Sequence, residues 1–575
     1  MYILGINAYH GDSSACIYRD GELIAATEEE RIRRVKHWAG LPTEAVQFCL
    51  KEAGITLKEV DYITVSRNPL AKIGQKAWYA LKKGVAFSNL KSRVQNSFSI
   101  RALKSDLAQA LGFKESELKA KVEYAEHHRC HMASAFFVSP FEEAAILSID
   151  GMGDFTSTMR GTGKGNKMEV IDSVSYPHSL GIFYTTFTQY LGFPHYGDEY
   201  KMMGLSPYGQ PKYLDRLEDV ILLKPNGLFE LNPRYFRHFE EGVSMSWEGG
   251  APHIEPLFTD AVIEKFGALR QKGEKLSQHH MDIAASVQRL TEKVIFRMAE
   301  DLHQRTGLSN LCITGGVAQN SVANGKIIEN TSFERLFVPP AGHDAGTGVG
   351  SALYFYHQKL GNPRLPFKHQ AYTGVQYSNE EIEAYLQQRG IDYQRLDEDQ
   401  LIETVTDRLL NAGVIGWYQG RAEFGPRALG NRSIIVDPRR EDAKDLLNAK
   451  IKRRESFRPF APSILYEATA EYFEQVDSVP FMEKVFRIKP EKHKVIPAVT
   501  HIDGTGRLQT VEAQDNPKYY RLIQRFGEKS GVPILLNTSF NENEPIVNTP
   551  EHALECYLRT QMDMLVMGDC VVARG

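Results

Sequence analysis

The sequence has 575 residues, 42% of them hydrophobic and 24% charged, and its net charge is -4. That length exceeds one ordinary hydrophobic core and predicts two or three globular domains, while the charge gives no reason to expect a nucleic-acid partner. No apolar run reaches the roughly eighteen residues of a membrane span, and the six cysteines form no CxxC pair. Without a recognisable secretory signal, these features predict a cytoplasmic protein with no membrane partner.

Two stretches of the first half share one pattern of three short strands separated by polar turns. The first copy has strands at 2–7, 15–18 and 22–26, and the second has strands at 144–149, 155–160 and 168–171. Such a duplicated unit is typical of the actin, sugar-kinase and Hsp70 ATPase architecture, where the two first turns hold the phosphates of ATP. Between the copies, a strand is predicted at 60–66 and helical insertions at 72–120.

A histidine pair lies between the two copies. His127 and His131 are four residues apart in a stretch that favours a helix, so their imidazoles would share one helix face. Asp150 ends the apolar run that precedes Gly151, and Asp344 lies in a later turn between glycines. Two histidines and two aspartates form a mixed nitrogen and oxygen site suited to Fe(II), Mn(II) or Zn(II), and too rich in nitrogen for calcium.

A glycine pair follows a later predicted strand at 311–314. Gly315 and Gly316 allow close backbone approach, and a helix that begins there would offer free amides to a phosphate or ribose. Gln319 and Asn320 are the neighbouring side chains. These four residues are therefore predicted to bind the nucleotide.

The chain changes character after about residue 360. Residues 361–366 read as a linker, and the remainder places arginines beside glycine and proline in turns, as in 423–430. Asparagine, threonine and serine follow a strand at 537–539. Solvated surface charge does not account for this combination, which favours a pocket for phosphate or carboxylate groups.

Seven motifs, taken in order, resemble the O-carbamoyltransferase family, which includes nodulation protein U and the carbamoyltransferases that tailor cephem and aminoglycoside antibiotics. The motifs are 28–31, 127–131, 150–151, 201–205, 315–318, 423–430 and 537–541. The resemblance implies an α/β protein with an actin/Hsp70-like, metal-binding carbamoyl-transfer domain over 1–360. It implies a YrdC-like domain that forms carbamoyl adenylate over 361–575.

The resemblance also implies roles for individual residues. The metal ligands would be His127, His131, Asp150 and Asp344, with Fe(II) favoured and Mn or Zn left open. The ligands of carbamoyl phosphate and of ATP with Mg would be Arg427, Lys452, Arg458, Arg507, Asn537 and Ser539. The residues that act in catalysis would be His10, Asp12, Lys452 and Arg458, the first two of them facing the acceptor hydroxyl.

The implied reaction moves the carbamoyl group of carbamoyl phosphate, through carbamoyl adenylate, to a hydroxyl of a sugar or natural product. The sequence leaves open whether the protein forms a homodimer. Three other functions are weighed: a tRNA threonylcarbamoyladenosine enzyme, a sugar-kinase or Hsp70-like ATPase, and a non-enzymatic ATP-gated protein. The arginines of the second half and the weak negative charge favour carbamoyl transfer over all three.

Overall fold

The structure is a computed structural model that describes residues 1–76, 79, 100, 102–271, 273–368 and 371–574. The chain forms two compact units, Met1–Ala323 with Ile327–Lys368, and Asn324–Lys326 with His369–Gly575. Both units combine helices with β-sheets, which confirms the predicted α/β class. No helix in the described part of the chain has the length and apolar character needed to cross a membrane.

The described residues of the first unit form two five-stranded sheets and two short hairpins. Its strands are β1 Tyr2–Asn7, β2 Ser14–Arg19, β3 Glu22–Glu28, β4 Tyr62–Val65, β5 Lys121–Tyr124, β6 Glu143–Gly153, β7 Thr156–Lys164, β8 Lys167–Ser175, β9 Ile221–Leu223, β10 Phe229–Leu231, β11 Met245–Glu248, β12 Ala251–Ile254, β13 Asn310–Thr314 and β14 Arg335–Phe337. All seven strands predicted between residues 2 and 171 are present, with boundaries that differ by a few residues.

The two five-stranded sheets have the same topology. The first runs β3-β2-β1-β4-β5 and the second, read from its other edge, runs β8-β7-β6-β13-β14. In both sheets the three strands of the repeat are antiparallel neighbours. The strand that begins each repeat, β1 or β6, then pairs in parallel with β4 or β13, which in turn pairs in parallel with β5 or β14. The repeated strand pattern of the sequence is therefore a repeat in three dimensions.

Helices cover these sheets and connect them. The α-helices before residue 368 are α1 Glu29–Arg33, α2 Thr43–Ala53, α3 His127–Phe136, α4 Leu180–Tyr190, α5 Glu199–Leu205, α6 Leu214–Leu217, α7 Asp260–Phe266, α8 Gln278–Thr306, α9 Ser321–Asn324, α10 Ile327–Asn330 and α11 Gly346–Leu353. Residues 73–76 and 102–110 are also helical, whereas 77–78, 80–99 and 101 of the predicted helical insertions lie outside the described residues.

The segment predicted as a linker, 361–366, belongs to the first unit. Its Arg364 guanidinium donates hydrogen bonds to the backbone carbonyls of Phe136, Ser139 and Phe141, at 3.0, 2.7 and 2.6 Å. Charged donors make stronger hydrogen bonds than neutral ones, and these three bonds fix the segment on the end of α3.

The second unit is built around one eight-stranded mixed sheet. Its strands are β15 Gln394–Arg395, β16 Ile415–Tyr418, β17 Arg432–Val436, β18 Ala461–Leu465, β19 Phe486–Arg487, β20 Thr505–Gly506, β21 Gln509–Val511, β22 Ile534–Ser539, β23 Met564–Met567 and β24 Cys570–Ala573. The sheet order is β15-β24-β23-β16-β17-β22-β18-β21, and β19 pairs with β20 separately.

Helices pack on both faces of this large sheet. They are α12 Asn379–Gln388, α13 Glu398–Leu410, α14 Ala443–Leu446, α15 Thr469–Tyr472, α16 Pro517–Ser530 and α17 Pro550–Arg559. Ile534 and Leu536 pack in one core with α12 and α17, and Leu535 packs in the other with α13 and α16. Alternate side chains of a strand point to opposite faces, so the continuous apolar run of β22 serves both cores.

Candidate functional site

Four side chains come together in the first unit. The helix α3 places His127 and His131 one turn apart, Asp150 lies in β6, and Asp344 lies in the turn before α11. The two histidine Nε2 atoms are 3.1 Å apart. The Asp150 Oδ2 atom lies 3.3 Å from His127 Nε2 and 3.8 Å from His131 Nε2, and the corresponding distances from Asp344 Oδ1 are 3.5 and 3.3 Å.

The spacing and environment of these groups fit a bound cation. Ligands bonded at about 2.1 Å to one ion lie roughly 3.0–3.4 Å from one another, close to the spacing seen here. All four residues are buried, and Asp344 Oδ1 has no hydrogen-bond donor among the described residues. A buried carboxylate oxygen in that condition is costly unless a positive charge faces it. Two imidazoles with two carboxylates suit Fe(II), Mn(II) or Zn(II).

The electrostatics of the cluster favour positive charge. Burial by itself would lower the pKa of His127, yet the Asp150 and Asp344 carboxylates raise it to about 10. Burial and the neighbouring Asp344 oppose ionisation of Asp150, but His127 and His131 hold its pKa well below the usual range. The two carboxylates are therefore ionised and attract either protons or a metal ion.

The third histidine of the motif has a different role. His128 Nε2 lies 3.1 Å from the Thr156 carbonyl, which can only accept, so this nitrogen carries the proton. Its Nδ1 then accepts the hydroxyl proton of Ser148 at 2.8 Å. Burial, followed by His127 and His131, lowers the pKa of His128 well below its ordinary value. His128 is thus a neutral core residue.

A close approach of two helices brings Asp344 to the histidines. A Cβ at Gly350 of α11 would lie 1.8 Å from the Cys130 carbonyl of α3, so only glycine fits. Asp150 is held from another side, because the backbone amide of Gly316 donates to its Oδ1 at 2.9 Å. The backbone amide of His127 likewise donates to Asp154 Oδ2 at 3.0 Å.

Part of the glycine-pair prediction changes in the structure. Gly315 has a φ of +95°, and a short 3₁₀ turn, Gly316–Gln319, replaces the expected helix. The Gly316 amide contacts Asp150, so it is not free for a phosphate. The side-chain amide of Asn320 exchanges two hydrogen bonds with Gln288, at 2.9 and 3.1 Å, inside the protein. The backbone amide of Gly315 is also occupied, since it donates to the Gly342 carbonyl at 2.8 Å. Gln319 and the Gly315 turn stay predictions for nucleotide binding.

The first turn of the chain lies beside the cluster. His10 Nδ1 is 2.5 Å from Asp344 Oδ2. The other ring nitrogen, Nε2, is therefore the one that could face the hydroxyl of a substrate. Asp12 Oδ1 contacts His37 Nδ1 at 2.7 Å. Burial lowers the pKa of His37, but Asp12 more than compensates and raises it to about 9, so the two form an ion pair. Sequence reasoning missed His37, which follows no recognisable motif.

The predicted residues of the second unit gather around the end of β22. Lys452 is buried, and its Nζ donates to the Ser539 carbonyl and to the carbonyl and side-chain oxygens of Asn541, the last two at 2.7 and 2.8 Å. Burial lowers the pKa of Lys452 well below its usual value. Asn541 lies just beyond the two polar residues singled out in this strand, and its contact with Lys452 appears only in the structure.

Arg507 lies close to three other arginines of this unit, Arg427, Arg454 and Arg458. Arg507 makes no hydrogen bond or ion pair among the described residues, and its Nε is buried. Burial, together with the charges of Arg427, Arg454 and Arg458, lowers the pKa of Arg507 well below its ordinary value. Arg458 forms an ion pair with Glu455 at 3.4 Å. The positive charge gathered around Arg507 suits an anionic ligand.

Glu423, also missed from the sequence as a site residue, shapes the loop that carries Arg427. Its buried Oε1 accepts hydrogen bonds from the backbone amides of Leu429, Asn431 and Arg432, at 2.7, 2.9 and 3.2 Å. One carboxylate thereby closes the loop on itself, in the way an anion is held by a nest of amides. A glutamate four residues before an arginine in a Gly-Pro turn is the only sequence signal.

Two family models together match most of the chain. The model of the carbamoyltransferase N-terminus matches residues 2–353, and that of the carbamoyltransferase C-terminus matches residues 406–574. The chain therefore belongs to the carbamoyltransferase family and is a carbamoyltransferase, as the sequence motifs predicted.

Individual relatives align with the chain over most of its length. An uncharacterized protein of Synechocystis sp. is 42% identical, with 100% of this chain and 97% of the relative aligned. The nodulation protein NolNO of Sinorhizobium fredii is 37% identical over 99% of this chain and 80% of its own length. The 3'-hydroxymethylcephem-O-carbamoyltransferase of Streptomyces clavuligerus is 27% identical over 76% of this chain and 78% of its own length.

Proposed function

We propose that this carbamoyltransferase uses ATP and carbamoyl phosphate to form carbamoyl adenylate, and then carbamoylates a hydroxyl of a small molecule such as a sugar or natural product. The observation that carries the proposal is Arg507, which lies close to Arg427, Arg454 and Arg458 and whose buried Nε has no hydrogen-bond partner among the described residues. Gathering like charges is unfavourable unless a ligand compensates them. Two phosphate-containing substrates supply that compensation.

The first half of the reaction is assigned to the second unit, proposed as a YrdC-like domain. Water first hydrolyses carbamoyl phosphate to carbamate and phosphate. A carbamate oxygen then attacks the α-phosphorus of ATP, which is bound as its Mg complex, and pyrophosphate leaves. Arg427, Arg458 and Arg507 stabilise negative charge on the departing phosphate groups. Lys452 and Asn537 bind the ligand beside Ser539. Carbamate is short-lived in water, so a shielded pocket is required.

The second half is assigned to the first unit, proposed as an actin/Hsp70-like domain with the Gly315 turn holding adenosine. The acceptor hydroxyl oxygen attacks the carbamoyl carbon, AMP leaves, and His10 Nε2 takes the hydroxyl proton. Asp344 orients His10 through its 2.5 Å contact. His127, His131, Asp150 and Asp344 would hold a divalent metal, Fe(II) being favoured, and the metal would supply Lewis-acid polarisation of the carbamoyl group. Asp12 is assigned to the acceptor side.

The deciding experiment measures AMP and pyrophosphate released from ATP by the purified protein, with and without carbamoyl phosphate, before any acceptor is added. Pyrophosphate that depends on carbamoyl phosphate is the expected result. A requirement for threonine and bicarbonate would indicate tRNA modification instead, and ADP as the sole product would indicate a kinase-like ATPase. His127→Ala should abolish carbamoyl transfer and retain pyrophosphate release, because its imidazole lies in the cluster of the first unit whereas the adenylating reaction is assigned to the second unit.

A further inference from the structure

The side chain of Asn537 is held by three acceptors in the second unit. Its Nδ2 donates to the Ala428 carbonyl at 3.2 Å, to Ser463 Oγ at 3.1 Å and to Gln509 Oε1 at 3.0 Å. Ser463 and Gln509 are directly paired residues of β18 and β21, and Ser463 Oγ also donates to Gln509 Oε1 at 2.7 Å. The side chains of Asn537, Ser463 and Gln509 are all buried.

Two backbone carbonyls fix the direction of both side-chain amides. Gln509 Nε2 donates to the Leu429 carbonyl at 2.8 Å, and a carbonyl can only accept, so Gln509 must turn its Oε1 toward Asn537. Asn537 faces that oxygen and the Ala428 carbonyl, both acceptors, and must therefore present its Nδ2 to them. Turning either amide over would place oxygen against oxygen, so each orientation follows from the loop.

This orientation leaves the side-chain oxygen of Asn537 without a hydrogen-bond donor among the described residues. Asn537 is 1% exposed, and its Oδ1 is buried without a hydrogen-bond partner among the described residues. Asn537 and Ser539 are two apart in β22 and so point to the same face of the sheet, where Ser539 Oγ lies 3.4 Å from Lys452 Nζ. A buried acceptor is costly until a donor reaches it, so a ligand at this place is expected to bring an N–H or O–H group.

We propose that Gln509 is a positioning residue that presents Asn537 Oδ1 to an N–H of the carbamoyl group, so that the pocket selects carbamoyl over acyl phosphates. The inference rests on the proposed use of carbamoyl phosphate. Carbamoyl phosphate and acetyl phosphate have the same shape and charge, and differ in an NH₂ group where the other has a methyl group. Only the NH₂ group can satisfy Asn537 Oδ1, and a site built for a donor discriminates strongly against an analogue that lacks it.

The test compares Gln509→Met with the wild type. The methionine side chain has nearly the same length, but it cannot donate and its sulfur accepts only weakly, so the variant loses the hydrogen bonds that orient Asn537. The readouts are kcat/KM for carbamoyl phosphate in pyrophosphate release, and the inhibition constant of acetyl phosphate as a competitor. We expect kcat/KM for carbamoyl phosphate to fall about tenfold, while the inhibition constant of acetyl phosphate changes by less than about twofold.

Two further variants keep the result decisive. Ser463→Ala removes two polar contacts of the same network, those of Ser463 Oγ with Gln509 Oε1 and with Asn537 Nδ2. It should change the selectivity for carbamoyl phosphate over acetyl phosphate in the same direction if Gln509→Met does not fold. Gln514→Met makes the same substitution at an exposed position of this unit and should leave both constants unchanged. If Gln509→Met weakens the use of carbamoyl phosphate and the binding of acetyl phosphate equally, or leaves the ratio of the two constants unchanged, the role of Gln509 is purely structural and the inference is overturned.

Failure of the proposed function has a different signature. A wild-type protein that releases no pyrophosphate with carbamoyl phosphate would refute the adenylating reaction. Calorimetric binding of carbamoyl phosphate and acetyl phosphate without ATP then decides the inference, because selectivity for the carbamoyl compound that Gln509→Met removes would support it. Equal affinities of the wild type for the two compounds would overturn it.

Discussion

A single added methyl group should test the proposed metal site without replacing any of the proposed ligands. Gly153 lies at the end of β6, where a Cβ would come 2.1 Å from His127 Cδ2 and 2.7 Å from His127 Nε2. Carbon atoms in contact lie about 3.5 Å apart, so in Gly153→Ala the imidazole ring of His127 has to move by about 1.4 Å. Metal–ligand distances tolerate only about 0.2 Å, which removes His127 from the ligand set.

The magnitude follows from the loss of one ligand in four. Disturbing a group that merely supports a ligand lowers metal affinity by about 10- to 100-fold, so displacing the ligand itself should lower it by at least about 100-fold. This corresponds to about 3 kcal/mol of binding free energy. The inserted methyl group should also lower the free energy of unfolding by about 1–3 kcal/mol, as overpacking does elsewhere.

The assay loads each variant with Fe(II), Mn(II) or Zn(II) under anaerobic conditions and measures the ion retained per chain after desalting. Gly151→Ala is the matched control, because a Cβ at Gly151 has no atom within 4 Å. Circular dichroism confirms that both variants fold. Retention of metal by Gly153→Ala with the affinity of Gly151→Ala would refute the assignment of His127 as a ligand.

Three further predictions concern the second unit. Lys452→Met should lower pyrophosphate release by at least about 100-fold and leave the metal content unchanged, since its Nζ holds the 539–541 loop. Glu423→Leu should lower the free energy of unfolding in urea by about 3 kcal/mol, because three backbone amides lose their acceptor; an unchanged midpoint would contradict this. Burial raises the pKa of Glu483 to about 7, so the stability this group contributes is fully present below about pH 4.5 and is lost as the pH rises to about 7. Glu483→Gln should remove that part of the pH dependence in denaturation curves measured from pH 4 to 8.

The sequence predicted the repeated strands of the first unit and the four residues of its histidine–aspartate cluster. Strand periodicity is a local property, so the alternation of apolar runs and polar turns was enough to reveal the duplicated sheet. The spacing of His127 and His131 depends only on helical geometry, and an aspartate at a strand end is a local signal too. These four residues lie within a few ångströms of one another, as their patterns suggested.

The roles that depend on directed hydrogen bonds were set by tertiary structure. His128 belongs to the same helix as the cluster, yet its contacts with Ser148 and Thr156 in another element make it a core residue. The Gly316 amide, which the sequence offered to a nucleotide, instead holds Asp150.

The unmatched oxygen of Asn537 exists only because a distant glutamine and a backbone loop fix the direction of its amide. Residue type and spacing determine which chemistry is available in this protein. The pairing of donors and acceptors across distant strands and loops decides which atoms remain free to use it, because a hydrogen bond depends on direction and no local sequence pattern encodes that.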